Sequence, residues 1–404
     1  MRRYLFIGLL FAMAACHHPE VVDIDFDTFQ VTNVKSADVF LSDGRLNPSV
    51  RLMEDDSADE TKVARVDVAT IARNMLGVVN SNRLLHYSGT YMGHDVDGVT
   101  PLRQSGKLLL PAKGPVKNIV LVSHFTIAAD REAPSQCFPL EGMLAAKGYA
   151  VVIADYIGYG ITADRIHPYM HTRSTAQSVV DMALAVKPFL KHIGREPESE
   201  EVILVGYSQG GSTTLAVMKQ LQEEHSGTLP IKAVYCGGGP YDLAATYDFS
   251  MEADLTGIPC AIPMIVQGVN AGEQLGLKME DFFKGNLLQN YKEWINSKQY
   301  TVAEINGKIG SRYLHEILTE KGRDKTSAET ARLYKALLKN SVLNFTPRAP
   351  IYMFHSRQDQ TVPFINAIKA ENYFKLSDIH YNFGDYGKHS MGCVRFVLLV
   401  YNEL

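Results

Sequence analysis

The 404-residue chain is predicted to form an α/β fold with a mostly parallel, eight-stranded sheet flanked by helices. Two observations support this class, and a third indicates an insertion in it. Short apolar runs recur along the chain, helical patterns of apolar residues separate them, and one long interval lacks a core strand. Alternation of apolar strands with helices is typical of parallel sheets that are covered on both faces. The predicted strands are residues 86–92, 107–110, 119–123, 149–154, 202–205, 232–236, 351–355 and 379–383.

The connections follow from local patterns. Strands 86–92 and 107–110 form an opening hairpin, with Asp-Val-Asp-Gly in the turn region at 95–98. Apolar residues at helical spacing predict helices at 140–147, 176–192 and 213–224.

The interval 240–348 breaks this rhythm. It contains helical patterns, notably at 278–296 and 328–343, and no convincing core strand. Its place between two strands predicts a helical lid inserted into a core of residues 63–239 and 349–404. The apolar run 258–269 either lines a pocket for an acyl or aromatic group or packs inside the insertion.

The N-terminal residues have the features of an export signal. Met1-Arg2-Arg3 precedes an apolar stretch at 4–15 and then Cys16. The stretch is too short to span a membrane, so residues 1–15 are predicted to be a signal peptide. Met-Ala-Ala-Cys also resembles a bacterial lipoprotein signal. Cys16 would then carry lipid and anchor the protein at the membrane of the cell envelope; the alternative is an ordinary cleaved signal and secretion. Residues 16–62 are polar and predict a tether with irregular structure.

Composition excludes several functions. A net charge of −4 provides no electrostatic basis for binding nucleic acid. The cysteines are widely spaced, and no C-x-x-C or His/Cys cluster occurs, so no metal is expected. Disulfide pairing is not predicted from the sequence.

The most informative motif is Gly-Tyr-Ser-Gln-Gly at residues 206–210. This G-x-S-x-G pattern follows an apolar strand and precedes a helical pattern, which is the context of a nucleophile elbow. Glycines let the backbone pass through the sharp turn that exposes Ser208. The turn also puts the Gln209 N–H at a helix N-terminus, where it can stabilise an oxyanion.

A serine nucleophile needs a base and a group that orients the base. In the chain order Ser, Asp, His, the acid and the histidine follow later strands. Asp359 follows strand 351–355 and His389 follows strand 379–383, so both are predicted at the sheet edge that carries Ser208. Asp385 is a weaker alternative acid, because it shares a loop with His389.

A second oxyanion donor is expected from the loop after strand 119–123. This loop reads Ser-His-Phe-Thr-Ile-Ala, and the N–H of either Phe125 or Thr126 is the predicted donor.

Together these motifs resemble the α/β-hydrolase superfamily. The elbow, Asp-Tyr-Ile-Gly-Tyr-Gly at 155–160 and His-Pro-Tyr at 167–169 are most similar to the secreted bacterial lipase/esterase branch, which is related to the secretory lipases. The resemblance extends from residue 87 to the C-terminus. Phe125 is a departure, because many relatives have Gly there. Members of this branch act on lipid, short-chain acyl or cell-wall esters without a cofactor, so the resemblance implies such substrates and no cofactor.

The leading hypothesis is therefore a serine carboxylic-ester hydrolase that works through Ser208, Asp359 and His389. The alternatives are a serine peptidase on the same fold and a catalytically inactive surface lipoprotein that binds glycan or lipid. The residues leave the acyl and alcohol groups of the substrate open.

Overall fold

A nine-stranded sheet forms the centre of the protein. The structure is a computed structural model that describes residues 28–36, 84–137, 140–375 and 378–404. The strand order is β1-β2-β3-β5-β4-β6-β7-β8-β9. The first three strands are antiparallel, and β4 to β9 run parallel to one another. The strands are β1 (Gln30–Ser36), β2 (Leu84–His94), β3 (Pro101–Pro111), β4 (Ile119–Ser123), β5 (Ala150–Ala154), β6 (Val202–Tyr207), β7 (Ile231–Gly237), β8 (Ile351–Ser356) and β9 (Ile379–Gly384).

The sheet has one strand more than the eight predicted. The additional strand, β1, belongs to the segment predicted as an irregular tether, and it pairs with β2 at the sheet edge. Its sequence, Gln-Val-Thr-Asn-Val-Lys-Ser, is largely polar. An edge strand needs a partner on one side only and gives a weaker apolar signal. The preceding Phe29 is fully buried against Phe189.

Several predictions lie outside the described residues. These are the signal peptide at 1–15, Cys16, the remainder of the tether, and the first part of the predicted core from residue 63.

Helices cover both faces of the sheet. Helices α1 (Thr172–His192) and α2 (Gln209–Glu224) pack their buried apolar side chains on one face, including Val186 and Leu215. The C-terminal helix and the 3₁₀ segment Leu140–Lys147 cover the other face, through residues such as Phe396 and Met143. Burial on both faces is the reason that the parallel strands read as continuous apolar runs.

The insertion between β7 and β8 is helical and has its own apolar core. The predicted helix at 278–296 is interrupted. A 3₁₀ turn at Met279–Asp281 is separated from the helix that begins at Gly285, whose φ is +55°, and that helix continues directly into a π-helical turn at Lys292–Asn296. The helices are α3 (Leu243–Ala253), α4 (Ala261–Gly272), α5 (Gly285–Tyr291), α6 (Val302–Ile309), α7 (Leu314–Ile317), α8 (Glu320–Arg323) and α9 (Ala328–Lys339). After β8, α10 (Ile365–Tyr373) and α11 (His389–Glu403) complete the chain.

The cysteines of the described part of the chain, Cys137, Cys236, Cys260 and Cys393, are all buried and unpaired. In the same ranges, no helix is long and apolar enough to cross a membrane.

Candidate active site

Ser208 occupies a sharp turn between β6 and α2. Its φ of 59° and ψ of −125° are strained for a residue with a side chain. The neighbouring glycines make the turn possible. A Cβ on Gly206 would lie 2.3 Å from the Gly210 carbonyl oxygen, and one on Gly210 would lie 1.9 Å from the Ser123 carbonyl oxygen. The turn therefore requires glycine on both sides of Ser208.

The structure brings Ser208, Asp359 and His389 together. His389 Nε2 lies 2.8 Å from Ser208 Oγ, and His389 Nδ1 lies 2.6 Å from Asp359 Oδ2. Asp359 follows β8, and His389 is the first residue of α11, directly after the loop that follows β9. Parallel strands end at one sheet edge, which is why residues 181 positions apart meet there. Asp385, the alternative acid, is exposed.

The Asp359 carboxylate is buried and held from several sides. Its Oδ1 accepts hydrogen bonds from the backbone N–H groups of Thr361 and Val362, both at 2.9 Å. Burial by itself would raise the pKa of Asp359, but the charge and hydrogen bond of His389 and the backbone donor at Val362 outweigh it. The pKa of Asp359 is thus lowered, and the carboxylate stays ionised beside the imidazole.

His355 is a buried neighbour of Asp359. Its Nε2 lies 3.0 Å from the Val362 carbonyl oxygen and 3.7 Å from Asp359 Oδ2. Burial lowers the pKa of His355 despite the nearby carboxylate. A neutral His355 that donates to Val362 braces the turn carrying Asp359. The sequence analysis included residue 355 only as the end of the predicted strand 351–355.

The predicted oxyanion donors differ in their surroundings. Gln209 begins α2, so its N–H is one of the unpaired donors of a helix N-terminus, and its side-chain amide contacts His167 Nε2 at 3.1 Å. Phe125 packs its ring against an apolar cluster that includes Tyr159. Thr126, in contrast, lines the same cavity as Ser208.

His124, which the sequence analysis did not single out, orients the loop that carries Phe125 and Thr126. Its Nδ1 lies 2.7 Å from the Phe125 carbonyl oxygen, and its ring stacks on Tyr156 with 3.9 Å between the ring centroids. Burial lowers the pKa of His124 to about 4, so the ring is neutral and has one N–H to donate. We assign that proton to Nδ1, because Nδ1 lies 2.7 Å from the Phe125 carbonyl oxygen, whereas Nε2 lies 3.3 Å from the Asp155 carbonyl oxygen. The Phe125 carbonyl and the Thr126 N–H belong to one trans peptide and point in opposite directions. A bond from His124 to the carbonyl therefore also sets the direction of the Thr126 N–H. The position of His124, directly after β4, is the signal that could have indicated it.

An apolar cavity extends from Ser208 into the helical insertion. Its volume is about 100 Å³, and its walls include Leu243, Ile258, Ile262, Ile265, Phe282 and Leu333. The residues of the run 258–269 divide between the wall of this cavity and the core of the insertion. Ile258, Ile262 and Ile265 face this cavity, whereas Cys260 and Val269 are fully buried in the core of the insertion.

A second cavity, of about 390 Å³, opens beside His389 and has a polar wall. Its side chains include Asn306, Arg312 and Gln360. Thr361 lines both cavities, so they adjoin at the turn that carries Asp359. Within the described ranges, no three His, Cys, Asp or Glu side chains are grouped in a way that could hold a metal.

Sequence relatives point to lipases. The model of the secretory lipase family matches residues 138–383, more than half of the chain, a span that includes Ser208 and Asp359. A secreted triacylglycerol lipase of Malassezia furfur is 26% identical over 186 residues, which are 45% of this chain and 46% of that protein. The chain thus spans about half the length of this curated relative.

Solved structures share the fold. The rice cell wall degrading esterase of Xanthomonas oryzae superposes with a TM-score of 0.70 at 22% identity, covering 82% of this chain and 92% of that one. A protein of Legionella pneumophila that is described as a hydrolase gives a TM-score of 0.73 at 22% identity, covering 83% of this chain and 93% of that one. The fold is that of the α/β-hydrolases, and the sequence match over residues 138–383 shows that the chain belongs to the secretory lipase family.

Proposed function

We propose that the protein is a serine carboxylic-ester hydrolase of the lipase or esterase type. The observation that carries this proposal is the continuous chain of hydrogen-bond distances from Ser208 through His389 to Asp359, 2.8 and 2.6 Å long. Membership of the secretory lipase family supports ester hydrolysis as the reaction class.

In the proposed reaction, Ser208 Oγ attacks the ester carbonyl while His389 Nε2 takes its proton. Asp359 holds the imidazole in the tautomer with a proton on Nδ1 and stabilises the imidazolium that forms. His389 then gives the proton to the departing alcohol oxygen, and an acyl-enzyme on Ser208 remains. Water, activated by His389, attacks this acyl-enzyme and releases the acid.

The backbone N–H groups of Gln209 and Thr126 are the proposed oxyanion donors. Gln209 N–H lies at the N-terminus of a 16-residue helix, where partial positive charge favours an oxyanion. Thr126 is preferred to Phe125 because it lines the cavity that contains Ser208 and because His124 orients its peptide. Two fixed donors would stabilise the charge that develops on the carbonyl oxygen.

The acyl group of the substrate is proposed to enter the apolar cavity beneath the insertion, with residues 240–348 acting as a lid. The cavity is narrow and mostly lined by aliphatic side chains, which suits an extended acyl chain. The Malassezia relative is named as a triacylglycerol lipase, which is consistent with an apolar acid.

The proposal is tested by replacing the nucleophile. Ser208→Ala should lower hydrolysis of p-nitrophenyl octanoate by more than about 10⁴-fold and abolish labelling by a fluorophosphonate probe. Ser212→Ala is the matched control, because Ser212 is a buried serine in the first turns of α2, four residues after Ser208, and its hydroxyl donates to the Gln209 carbonyl oxygen. Undiminished turnover in the Ser208 variant would overturn the assignment.

We also propose that the protein is exported and that Cys16 carries the lipid anchor. The family assignment supports export, and the residues around Cys16 support lipidation. In a bacterial host, Cys16→Ser should lose incorporation of labelled fatty acid and move activity from the membrane to the soluble fraction. If the variant incorporates as much label as the parent protein, Cys16 is not the lipidated residue.

A further inference from the structure

The polar cavity beside His389 is separate from the apolar cavity that we assign to the acyl group. We propose that it binds the alcohol part of the ester and prefers an alcohol that carries an anionic group, such as a phosphate or carboxylate. This inference rests on the proposed ester hydrolysis and adds the chemistry of the leaving group.

The position of the two cavities assigns them to the two halves of an ester. Ser208 lines the apolar cavity and His389 lines the polar one. In acyl transfer, the histidine must protonate the oxygen of the leaving alcohol, so the alcohol lies on the histidine side. The acyl chain then extends from Ser208 into the apolar cavity. Thr361, which lines both, lies where the two halves of the substrate would join.

The charge of the polar cavity selects the kind of alcohol. Arg312 and Lys388 line it, and the other polar side chains of its wall, apart from His389, are neutral amides and hydroxyls. Among the described residues, no Asp or Glu lines this cavity. Two acids lie near this wall without lining it. Asp254 pairs with Arg323 at 3.8 Å and contacts His315, whereas Glu316 accepts a hydrogen bond from the Ser311 hydroxyl and keeps its charge. Arg312 is therefore the residue of this wall to which we assign the attraction for an anionic group.

Two hydrogen bonds with the backbone of Thr256 hold Arg312 in place. The Thr256 N–H donates to the Arg312 carbonyl oxygen at 3.0 Å, and Arg312 Nε donates to the Thr256 carbonyl oxygen at 3.1 Å. These bonds fix the stem of the side chain and use Nε, which leaves the Nη1 and Nη2 groups for an anion. A guanidinium fork matches the geometry of phosphate and carboxylate oxygens.

The cavity is open to water, so the preference should be modest and sensitive to salt. Exposed ion pairs are screened, and each typically changes an equilibrium by no more than about fivefold. The cavity volume of about 390 Å³, against about 100 Å³ for the acyl cavity, accommodates a hydrated head group.

The test compares octanoyl esters that differ only in the alcohol. The alcohols are glycerol, glycerol 3-phosphate, glycerate and choline, and kcat/KM is measured for each at low and high salt. We expect the phosphate and glycerate esters to exceed the glycerol ester by about three- to tenfold at low salt, and the choline ester to be the poorest. The phosphate and glycerate arms show which anion is preferred.

Variants attribute the preference to Arg312. Arg312→Gln should reduce the ratio of anionic to neutral ester by about threefold or more and improve the choline ester relative to the glycerol ester, whereas Arg312→Lys should keep most of the preference. Arg332→Gln, an exposed arginine on α9, should leave all ratios unchanged. Each ratio compares two esters on the same variant, so a smaller fraction of folded protein lowers both rates equally and leaves the ratio unchanged.

Two failures are distinguishable. If the protein hydrolyses the octanoyl esters with equal rates for neutral and anionic alcohols, the charge preference is overturned and ester hydrolysis stands. If it hydrolyses no ester and Ser208 is not labelled by the fluorophosphonate, the proposed function itself fails.

Discussion

Ser208 holds a backbone conformation with φ of 59° that residues with side chains rarely adopt. Such strain typically costs on the order of 1–3 kcal/mol, and surrounding packing must offset it. Strand β6, before the turn, and the first two turns of helix α2, after it, are buried. The strained turn holds Ser208 Oγ 2.8 Å from His389 Nε2.

At the same scale, Asp359→Asn tests the orientation of His389. An amide cannot stabilise the imidazolium and favours the wrong tautomer, so kcat should fall by about 10³–10⁴-fold with little change in KM. The measurement is steady-state kinetics on p-nitrophenyl octanoate. Asp385→Asn is the control, because Asp385 is exposed, and its activity should match the parent protein. A loss of less than tenfold in the Asp359 variant would contradict the assigned role.

Sequence reasoning reached Ser208, Asp359 and His389 because each follows a recognisable apolar strand. It could not choose between Phe125 and Thr126, because the direction of a peptide N–H depends on a contact rather than on a pattern. The contact is the 2.7 Å hydrogen bond from His124 to the Phe125 carbonyl oxygen. The role of His355 was not predicted for the same reason, because it depends on the contact between His355 Nε2 and the Val362 carbonyl oxygen.

At the scale of elements, the parallel strands were predicted to within one or two residues. Continuous apolar composition identifies a strand buried on both faces, and β4, β5 and β6 are buried along their whole length, whereas the edge strand β9 is only partly buried. Helix starts were harder to predict. Helix α1 begins at Thr172 rather than residue 176, because its first turn, Thr-Arg-Ser-Thr, is polar and carries no apolar period.

Helix α4 supplies the prediction that belongs to this scale. Ile265 lines the apolar cavity, and a larger side chain there should fill space that an acyl chain needs. Ile265→Trp should lower kcat/KM for p-nitrophenyl decanoate by about tenfold or more while sparing the acetate, since each displaced methylene is worth about 1 kcal/mol or more.

The matched control is Leu338→Trp, on helix α9 of the same insertion. Leu338 is 54% exposed, so a larger side chain there should not reach the cavity. Chain-length profiles of the two variants are compared with the parent protein. If the Ile265 variant keeps the parent profile, the acyl chain does not occupy this cavity.

At the scale of the whole molecule, the edge strand β1 and the pair of cavities could not be predicted. Strand β1 forms because β2 offers an open edge that is distant in the sequence: the paired residues are 49 positions apart at Ser36–Leu85 and 60 positions apart at Gln30–Thr90. The cavities lie between the sheet edge and the insertion. Their walls combine residues such as Thr126, Ile265 and Thr361, which are far apart along the chain.

The amino-acid sequence by itself determined the α/β class, the elbow at Ser208, and the strand-end positions of Asp359 and His389. Those properties depend on apolar periodicity and on glycines a few residues apart, which are local. Only the tertiary structure decided that these three side chains meet within 2.8 Å, that Thr126 faces the cavity, and that an apolar and a polar cavity adjoin at Thr361. These depend on how β4, β6, β8 and the insertion pack, and packing joins residues that no local pattern relates.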